Sequence, residues 1–190
     1  MIKIGILGKI GSGKSYISKM FGCPVFNADE EVIKIYKTDK KCFNKLKKKL
    51  PDYIHSFPIK KNELQSAILD NQRNLFKINK IVHPIVRNKM KKFLIINSKK
   101  KMVVLDIPLL LENKLNKKNY ILIYVSAKKK QIFKRLKLRK NYNSKILKKL
   151  EKTQLKLEQK RKKSNFIINN NFKKNTVRKS VKLILRKILN

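Results

Sequence analysis

The segment Gly8-Lys9-Ile10-Gly11-Ser12-Gly13-Lys14-Ser15 decides how this 190-residue chain folds. It matches the pattern G-x-x-x-x-G-K-[ST], in which a glycine-rich loop joins a buried strand to a helix. All five glycines of the chain fall within its first 22 residues, and three of them lie in this segment. Because glycine permits a positive φ and the close approach of a ligand, we expect the segment to be a phosphate-binding loop.

The residues on both sides of the loop have the character that this interpretation requires. Residues 2–7 form an apolar, β-rich run that leads into the loop, as a buried strand should. Residues 15–21 follow the loop and place Ile17, Met20 and Phe21 on one helical face. The sequence therefore predicts a strand, the loop and a helix in that order.

This geometry predicts a nucleotide and a cation as ligands. Backbone N–H groups of residues 11–16 and the positive end of the helix dipole would surround the β-phosphate. Lys14 would reach the β- and γ-phosphates, and the Ser15 hydroxyl would bind Mg²⁺. The predicted nucleotide-binding residues are Gly8, Gly11, Ser12, Gly13, Lys14, Ser15 and Tyr16.

The net charge of +40 invites a nucleic-acid interpretation, which the residue types disfavour. Of the 51 basic residues 44 are lysines, spread over most of the predicted helices, and the chain has no Trp. Specific nucleic-acid recognition tends to use Arg for bidentate contacts and aromatic rings for stacking. Since Lys, Asn and Ile are all enriched, we attribute the charge to an AT-rich genome, and expect no specific nucleic-acid partner.

The remaining composition indicates one core domain in a reducing compartment. No run approaches 18 consecutive apolar residues, and the first residues lead directly into a strand, so we expect neither a membrane span nor a signal peptide. Cys23 and Cys42 have no metal-ligand spacing. We expect a cytoplasmic monomer.

Strand and helix patterns alternate along the chain. The predicted strands are residues 2–7, 24–27, 102–106, 120–125 and 166–168, and helical patterns separate them. Pro51 and Pro58 interrupt the first long helical stretch, and residues 141–143 interrupt the second. Either Asn27 or Asp29 is expected to cap the helix that follows the second strand. This order predicts an α/β fold with a five-stranded parallel sheet and helices on both faces.

The helical stretch between the second and third strands is too long for one crossover, and together with the basic helical region after the fourth strand it suggests a small-molecule kinase. We expect a nucleotide-binding core of residues 1–29, 98–127 and 164–190, a helical acceptor subdomain of residues 30–97 and a basic helical lid of residues 128–163. A closing lid would exclude water from the reaction. A GTPase is disfavoured because the chain lacks N-K-x-D.

Several blocks of the sequence resemble the dephospho-CoA kinase family. They occur in the family order and span nearly the whole chain: Gly8–Ser15, Asn27-Ala28-Asp29, Ile81-Val82-His83-Pro84, Asp106–Glu112, Gln131-x-x-x-Arg135-x-x-x-Arg139, Gln154, and Ser164–Asn170. The resemblance implies a P-loop kinase that transfers the γ-phosphoryl group of ATP to the ribose 3′-hydroxyl of dephospho-CoA, the last step of coenzyme A biosynthesis.

The resemblance also implies catalytic roles. Asp29 matches the family's general base, and the alternative is a helix cap. Arg135 and Arg139 match arginines that neutralise the transferring charge from the lid, and the alternative is a solvated basic face. Together with Lys14 these are the predicted catalytic residues.

Three further residues are predicted to bind metal or substrate. Asp106 ends the third strand, where a carboxylate would hold Mg²⁺ through water or serve as a turn residue. His83 is a substrate contact or a satisfied structural histidine. Glu112, with Asp29 and His83, completes the predicted acceptor site.

The sequence departs from the family pattern at a few positions. Lys9 replaces a glycine, Tyr16 replaces a threonine, Asn27 replaces an acid, and Ser164-Asn165 replaces Ala-Asp. Because Lys14, Ser15, Asp29 and Arg135 are retained, an active enzyme is expected. Two alternatives remain: another nucleoside or nucleotide kinase with the same core, and a basic nucleic-acid-binding protein with a vestigial loop.

Overall fold

The computed structural model describes residues 1–115, 119–139 and 142–189. The strands are β1 (Ile2–Gly8), β2 (Val25–Asn27), β3 (Met102–Asp106), β4 (Tyr120–Ser126) and β5 (Phe166–Asn169). The helices are α1 (Lys14–Lys19), α2 (Ala28–Thr38), α3 (Lys40–Lys49), α4 (Lys61–Asp70), α5 (Gln72–Ile96), α6 (Lys129–Lys137), α7 (Ser144–Glu151), α8 (Leu157–Lys162) and α9 (Lys174–Leu189).

The five strands form one parallel sheet in the order β2-β3-β1-β4-β5, which confirms the predicted fold class. β1 lies in the centre, with Gly5 beside Leu105 of β3 and Gly8 beside Val125 of β4. Because the strands are parallel, their carboxyl ends share one edge of the sheet. Ligands of such sheets bind at this edge, where the glycine loop leaves β1.

Alternation along the strands divides the core between the two faces of the sheet. Ile4 and Ile6 of β1 and Val104 of β3 belong to a buried cluster with Ile17 of α1 and Val181 of α9. Residues at alternate positions of a strand share a face, so α1 and α9 cover this side. Burying these branched side chains is the main favourable contribution to the stability of the sheet.

The opposite face is covered by the segment after β3 and by α8. A side chain at Gly5 would run into Leu110 and Leu122, and α8 contacts β1. The predicted covering of both faces by helices is thus confirmed, with a difference in detail. Part of the second face is filled by the segment 107–115, which has turns and no regular helix.

The chain divides into two compact units. The first contains residues 1–27, 96–142 and 151–190, and includes the whole sheet. The second contains residues 28–95 and 143–150. The domain bounds expected from the sequence stay a prediction, and Asn141 of the predicted break at 141–143 lies outside the described residues.

Within the second unit, α7 is tied to the end of α4. The ammonium of Lys149 donates to the carbonyl oxygens of Ile68 (2.6 Å) and Leu69 (2.7 Å). The last carbonyl groups of a helix have no partner within it, and a cation there also complements the helix dipole. This contact gives residues 143–150 a specific anchor on α4.

Some predicted boundaries differ from the structure. α2 begins at Ala28, so Asp29 lies inside its first turn, and the interpretation of Asp29 as the helix cap is wrong. Pro51 and Pro58 do lie outside helices, whereas Pro84 is accommodated inside the 25-residue α5. Within the ranges that the structure describes, no helix is long and apolar enough to cross a membrane.

Candidate active site

Three glycines give the loop between β1 and α1 its shape. Gly8, Gly11 and Gly13 have φ values of +143°, +83° and +92°, which side chains of L-residues rarely tolerate. A Cβ atom at Gly8 would lie 2.6 Å from the carbonyl oxygen of Val125, and one at Gly13 would collide with the amide of Asn170. Glycine is therefore required at both positions by conformation and by space.

The side chain of Lys14 folds back over this loop. Its ammonium donates to the carbonyl oxygens of Gly8 (3.1 Å) and Lys9 (3.0 Å), and the residue is only 9% exposed. The N–H of Ser12 donates to the same Lys9 carbonyl at 3.1 Å and closes the turn. Lys14 thus stands where the motif requires it, with its charge fixed at the loop.

The predicted departures at Lys9 and Tyr16 are accommodated. Lys9 does not need a positive φ, and its ammonium lies 3.2 Å from the carboxylate of Glu151. Ser15 and Tyr16 lie in the first turn of α1 with exposed side chains. The Ser15 hydroxyl is accessible to a ligand, whereas Tyr16 can contribute its backbone N–H.

Asn170, directly after β5, forms a hydrogen bond with the loop. The sequence did not indicate this role. It is only 3% exposed, and its side-chain amide donates to the Ser12 carbonyl at 2.8 Å. Its Oδ1 accepts from the backbone N–H of Phe172 at 2.8 Å. The run of three asparagines at 169–171 was the available signal, but nothing local indicates which of them turns inward.

Asp106 lies at the carboxyl end of β3 and is only 2% exposed. In register it pairs with Asn27 of β2. Since Gly5 pairs with Leu105, Asp106 is level with Ile6, two residues before the end of β1. The register therefore brings this carboxylate to the edge of the sheet from which the glycine loop leaves.

The helix α6 packs against the same loop. A Cβ atom at Gly11 would lie only 3.0 Å from side-chain atoms of Ile132 and Leu136 of this helix. The guanidinium of Arg135 lies over the ring of Phe172, 4.5 Å from the centroid. Arg139 lies beyond the end of α6 and is exposed. The structure thus brings Arg135 close to the loop through Phe172.

Glu112 has a buried cation as its partner. Its Oε1 lies 2.8 Å from the ammonium of Lys160, and the same atom accepts from the backbone N–H of Leu155 at 2.8 Å. Lys160 also donates to Gln154 Oε1 (3.2 Å) and to the Pro108 carbonyl (3.3 Å). Glu112 therefore fastens the segment after β3 to the region around α8.

Two predicted residues belong to the second unit. Asp29 is exposed in the first turn of α2, two residues after the end of β2, with Glu30 and Glu31 beside it. His83 is half-buried in α5, and burial, followed by repulsion from Arg87, lowers its pKa. A lowered pKa keeps the imidazole neutral at pH 7, so that it can accept as well as donate a hydrogen bond.

The residues predicted to hold a cation are Ser15, through its hydroxyl, and Asp106, through its carboxylate. Among the described residues, no three His, Cys, Asp or Glu side chains cluster closely enough to hold a metal ion. Mg²⁺ commonly takes one or two protein oxygens and completes its shell with phosphates and water. The accessible hydroxyl of Ser15 and the carboxylate of Asp106 provide oxygen donors of that kind.

A glycine loop with an inward lysine, between the central strand and first helix of a five-stranded parallel sheet, defines a P-loop nucleotide-binding protein. The comparison with known families gives the finer assignment. Residues 2–175 match the family model for dephospho-CoA kinase. The chain belongs to the dephospho-CoA kinase family, ATP-dependent enzymes of coenzyme A biosynthesis. The function predicted from the sequence is confirmed at this level.

Individual relatives agree with this assignment. The chain is 32% identical over 191 residues to a dephospho-CoA kinase of Bartonella henselae, with 98% of this chain and 97% of the relative covered. Two solved structures share the fold. One is a protein from Thermus thermophilus (TM-score 0.78, 24% identity, 100% and 98% of the two chains covered), and the other is a dephospho-CoA kinase from Campylobacter jejuni (TM-score 0.65, 20% identity, 98% and 96% covered).

Proposed function

We propose that this chain phosphorylates the ribose 3′-hydroxyl of dephospho-CoA with Lys14, Asp29, Arg135 and Arg139 as its catalytic residues. The observation that carries the proposal is the glycine loop, with the Lys14 ammonium held over it by the carbonyl groups of Gly8 and Lys9. Such a loop grips the phosphates through backbone N–H groups and one fixed positive charge. Gly8, Gly11, Ser12, Gly13, Ser15 and Tyr16 complete the proposed ATP site.

The proposed chemistry is a single phosphoryl transfer. The 3′-hydroxyl oxygen forms a bond to the γ-phosphorus, and the bond between that phosphorus and the oxygen bridging to the β-phosphate breaks. Asp29 takes the hydroxyl proton, and the leaving ADP keeps the bonding electron pair. Asp29 is exposed in the first turn of α2, and a general base must come within hydrogen-bonding reach of the hydroxyl whose proton it takes.

Positive side chains offset the charge that develops during this transfer. Lys14 neutralises charge between the β- and γ-phosphates, and Arg135 and Arg139 act on the transferring group. Ser15 and Asp106 would hold Mg²⁺, which when bound supplies further neutralisation of the phosphates. Two features support these roles: the accessible hydroxyl of Ser15, and the position of Asp106 at the carboxyl end of β3.

The acceptor is proposed to be held by Asp29, His83 and Glu112. We propose that residues 30–97 form the acceptor subdomain and residues 128–163 the lid, around a core of 1–29, 98–127 and 164–190. We further propose that the enzyme works as a cytoplasmic monomer without a specific nucleic-acid partner. The scarcity of arginine among its basic residues supports the last point.

The test of the base uses purified protein with Mg-ATP and dephospho-CoA, and follows CoA by chromatography. Asp29→Asn should lower kcat at least about a hundredfold, since general-base catalysis is commonly worth 10²–10⁴. The Kd for ATP should stay within a factor of about two. Glu30→Gln removes the neighbouring exposed carboxylate of the same helical turn and serves as the matched control.

The outcomes separate the alternatives. Full activity of Asp29→Asn would refute its role as the base while leaving the phosphate-binding loop in place. Turnover of nucleosides with no turnover of dephospho-CoA would overturn the proposed acceptor. ATP binding that survives Lys14→Ala unchanged would overturn the proposed role of the loop lysine.

A further inference from the structure

Phe172 has a backbone conformation that its residue type disfavours. Its φ is +62°, in the left-handed region where a bulky side chain is rare. Residues held there mark places where surrounding structure imposes the conformation, and they cluster at functional sites. The surroundings of Phe172 show what imposes it.

Asn170 fixes both the backbone of Phe172 and the phosphate-binding loop. Its buried side chain accepts from the N–H of Phe172 and donates to the carbonyl of Ser12, each at 2.8 Å. The ring of Phe172 in turn lies 3.5 Å from the position that a Cβ atom at Gly13 would occupy. One amide side chain therefore holds the ring directly against the loop.

The exposed guanidinium of Arg135 lies over the Phe172 ring, 4.5 Å from its centre. A guanidinium stacks through its flat face, while its N–H donors point outward in its own plane. Stacking on the ring and hydrogen bonding to a phosphate oxygen are therefore compatible at the same time. Arginine side chains otherwise have many rotamers, so a fixed platform reduces the conformational entropy lost when the phosphate binds.

We propose that Phe172, held by Asn170, is a positioning residue that orients the Arg135 guanidinium toward the phosphates bound at the loop. This inference rests on the proposed role of Arg135 in phosphoryl transfer. Phe172 itself touches neither the nucleotide nor the acceptor in this proposal. Its contribution is to kcat, because Arg135 acts on charge that develops in the transition state.

The experiment measures steady-state kinetics of Phe172→Leu and Phe172→Tyr. The leucine variant keeps the Cβ atom and apolar bulk but loses the π face, so kcat should fall about 3- to 10-fold, in keeping with the strength of a cation–π contact. The KM for dephospho-CoA should stay within about twofold. The tyrosine variant keeps the face and should retain wild-type kcat.

The same helix supplies a matched control. Phe133 of α6 is 51% exposed and lies under the ammonium of Lys137, 4.6 Å from the ring centroid. Phe133→Leu removes a similar cation–π pair that does not involve Arg135, and it should leave kcat unchanged. Pentafluorophenylalanine at position 172 keeps the ring shape while removing its negative face, and provides the test if the leucine variant does not fold.

Combination with Arg135→Met separates this inference from the proposed function. The expected result is that Phe172→Leu has no further effect once Arg135 is Met. Wild-type kcat in Phe172→Leu, with Arg135→Met inactive, would overturn the positioning role and keep Arg135 as a catalytic residue. Wild-type kcat in Arg135→Met would overturn the proposed role of Arg135 itself. Equal losses in the leucine and tyrosine variants would overturn the positioning role, because the tyrosine variant keeps the ring face on which Arg135 stacks.

Discussion

The carboxylate of Glu112 and the ammonium of Lys160 lie 2.8 Å apart, and Lys160 has no exposed surface. A lysine is almost never fully buried unless it is paired, because removing its charge from water is costly. The partners of Lys160 at Gln154 and Pro108 satisfy its other protons. The pair connects two segments of the first unit that are far apart in the sequence.

Breaking this pair should destabilise the protein strongly. Lys160→Met leaves the Glu112 carboxylate without its cation, and we expect a loss of about 3–5 kcal/mol in the free energy of unfolding. Urea unfolding followed by circular dichroism measures it. Lys162→Met, at an exposed lysine of the same helix, should change stability by less than about 0.5 kcal/mol. The double variant Glu112→Gln with Lys160→Met should recover part of the loss, and a lack of recovery would contradict the explanation.

Gly13 and Gly22 make a matched pair for testing the loop. Both have positive φ values, +92° and +66°. A Cβ atom at Gly13 would collide with the side chain of Asn170, whereas a Cβ atom at Gly22 would have no neighbour within 4 Å. Gly22→Ala should cost about 1–2 kcal/mol of stability from backbone strain alone. Gly13→Ala should cost more and abolish ATP binding in calorimetry. Equal stability losses with ATP binding intact would contradict the role given to the space at Gly13.

His83 should make stability depend on pH. Burial lowers its pKa in the folded state below the unfolded value of about 6.5, so the unfolded chain binds the proton more readily. Above that pKa the imidazole is neutral in both the folded and the unfolded chain, so its burial does not cost stability through ionisation. As the pH falls below that pKa, the unfolded chain takes up the proton first and the folded protein loses stability. The destabilisation from pH 8 to pH 5 should therefore be smaller in His83→Gln than in wild type. His55→Gln, at an exposed histidine, is the control, and identical profiles for His83→Gln and wild type would contradict the prediction.

The two cysteines should differ in reactivity. Burial raises the pKa of both thiols, that of Cys42 to about 11, but Cys42 has no exposed surface while Cys23 is partly exposed. The thiolate is the reactive form, so iodoacetamide at pH 8 should alkylate Cys23 well before Cys42. Peptide mass spectrometry of the native protein gives the order, and Cys23→Ser should leave only slow labelling. Equal rates at both sites would contradict the burial of Cys42.

Much of the fold was predictable because its signals are local. The glycines at 8, 11 and 13 require a special backbone, and the apolar runs at 102–106 and 120–125 form strands close to the predicted bounds. Helix boundaries were less certain, since Asp29 fits both a cap and a first turn by residue type. The order of β1, the loop and α1 could be predicted because the motif requires particular residues at particular spacings.

The supports of the site were not predictable from local pattern. Lys160 is one of 44 lysines, and nothing in its neighbourhood marks it as buried beside Glu112. Asn170 is one of three consecutive asparagines, and its partner Ser12 lies 158 residues away in the chain. Glu112 was expected to contact the acceptor, and that expectation stays a prediction beside its observed pairing with Lys160.

The amino-acid sequence by itself determined the loop motif, the class of fold (α/β with a five-stranded parallel sheet) and the family, because these depend on residue type and short spacing. Tertiary structure alone decided which polar side chains support the loop and that Lys160 is fully buried. Those choices depend on contacts between residues distant in sequence, and their free energy comes from desolvation and pairing that exist only in the folded chain. Phe172 is the clearest case, since its left-handed backbone follows from Asn170 and from its place between Gly13 and Arg135.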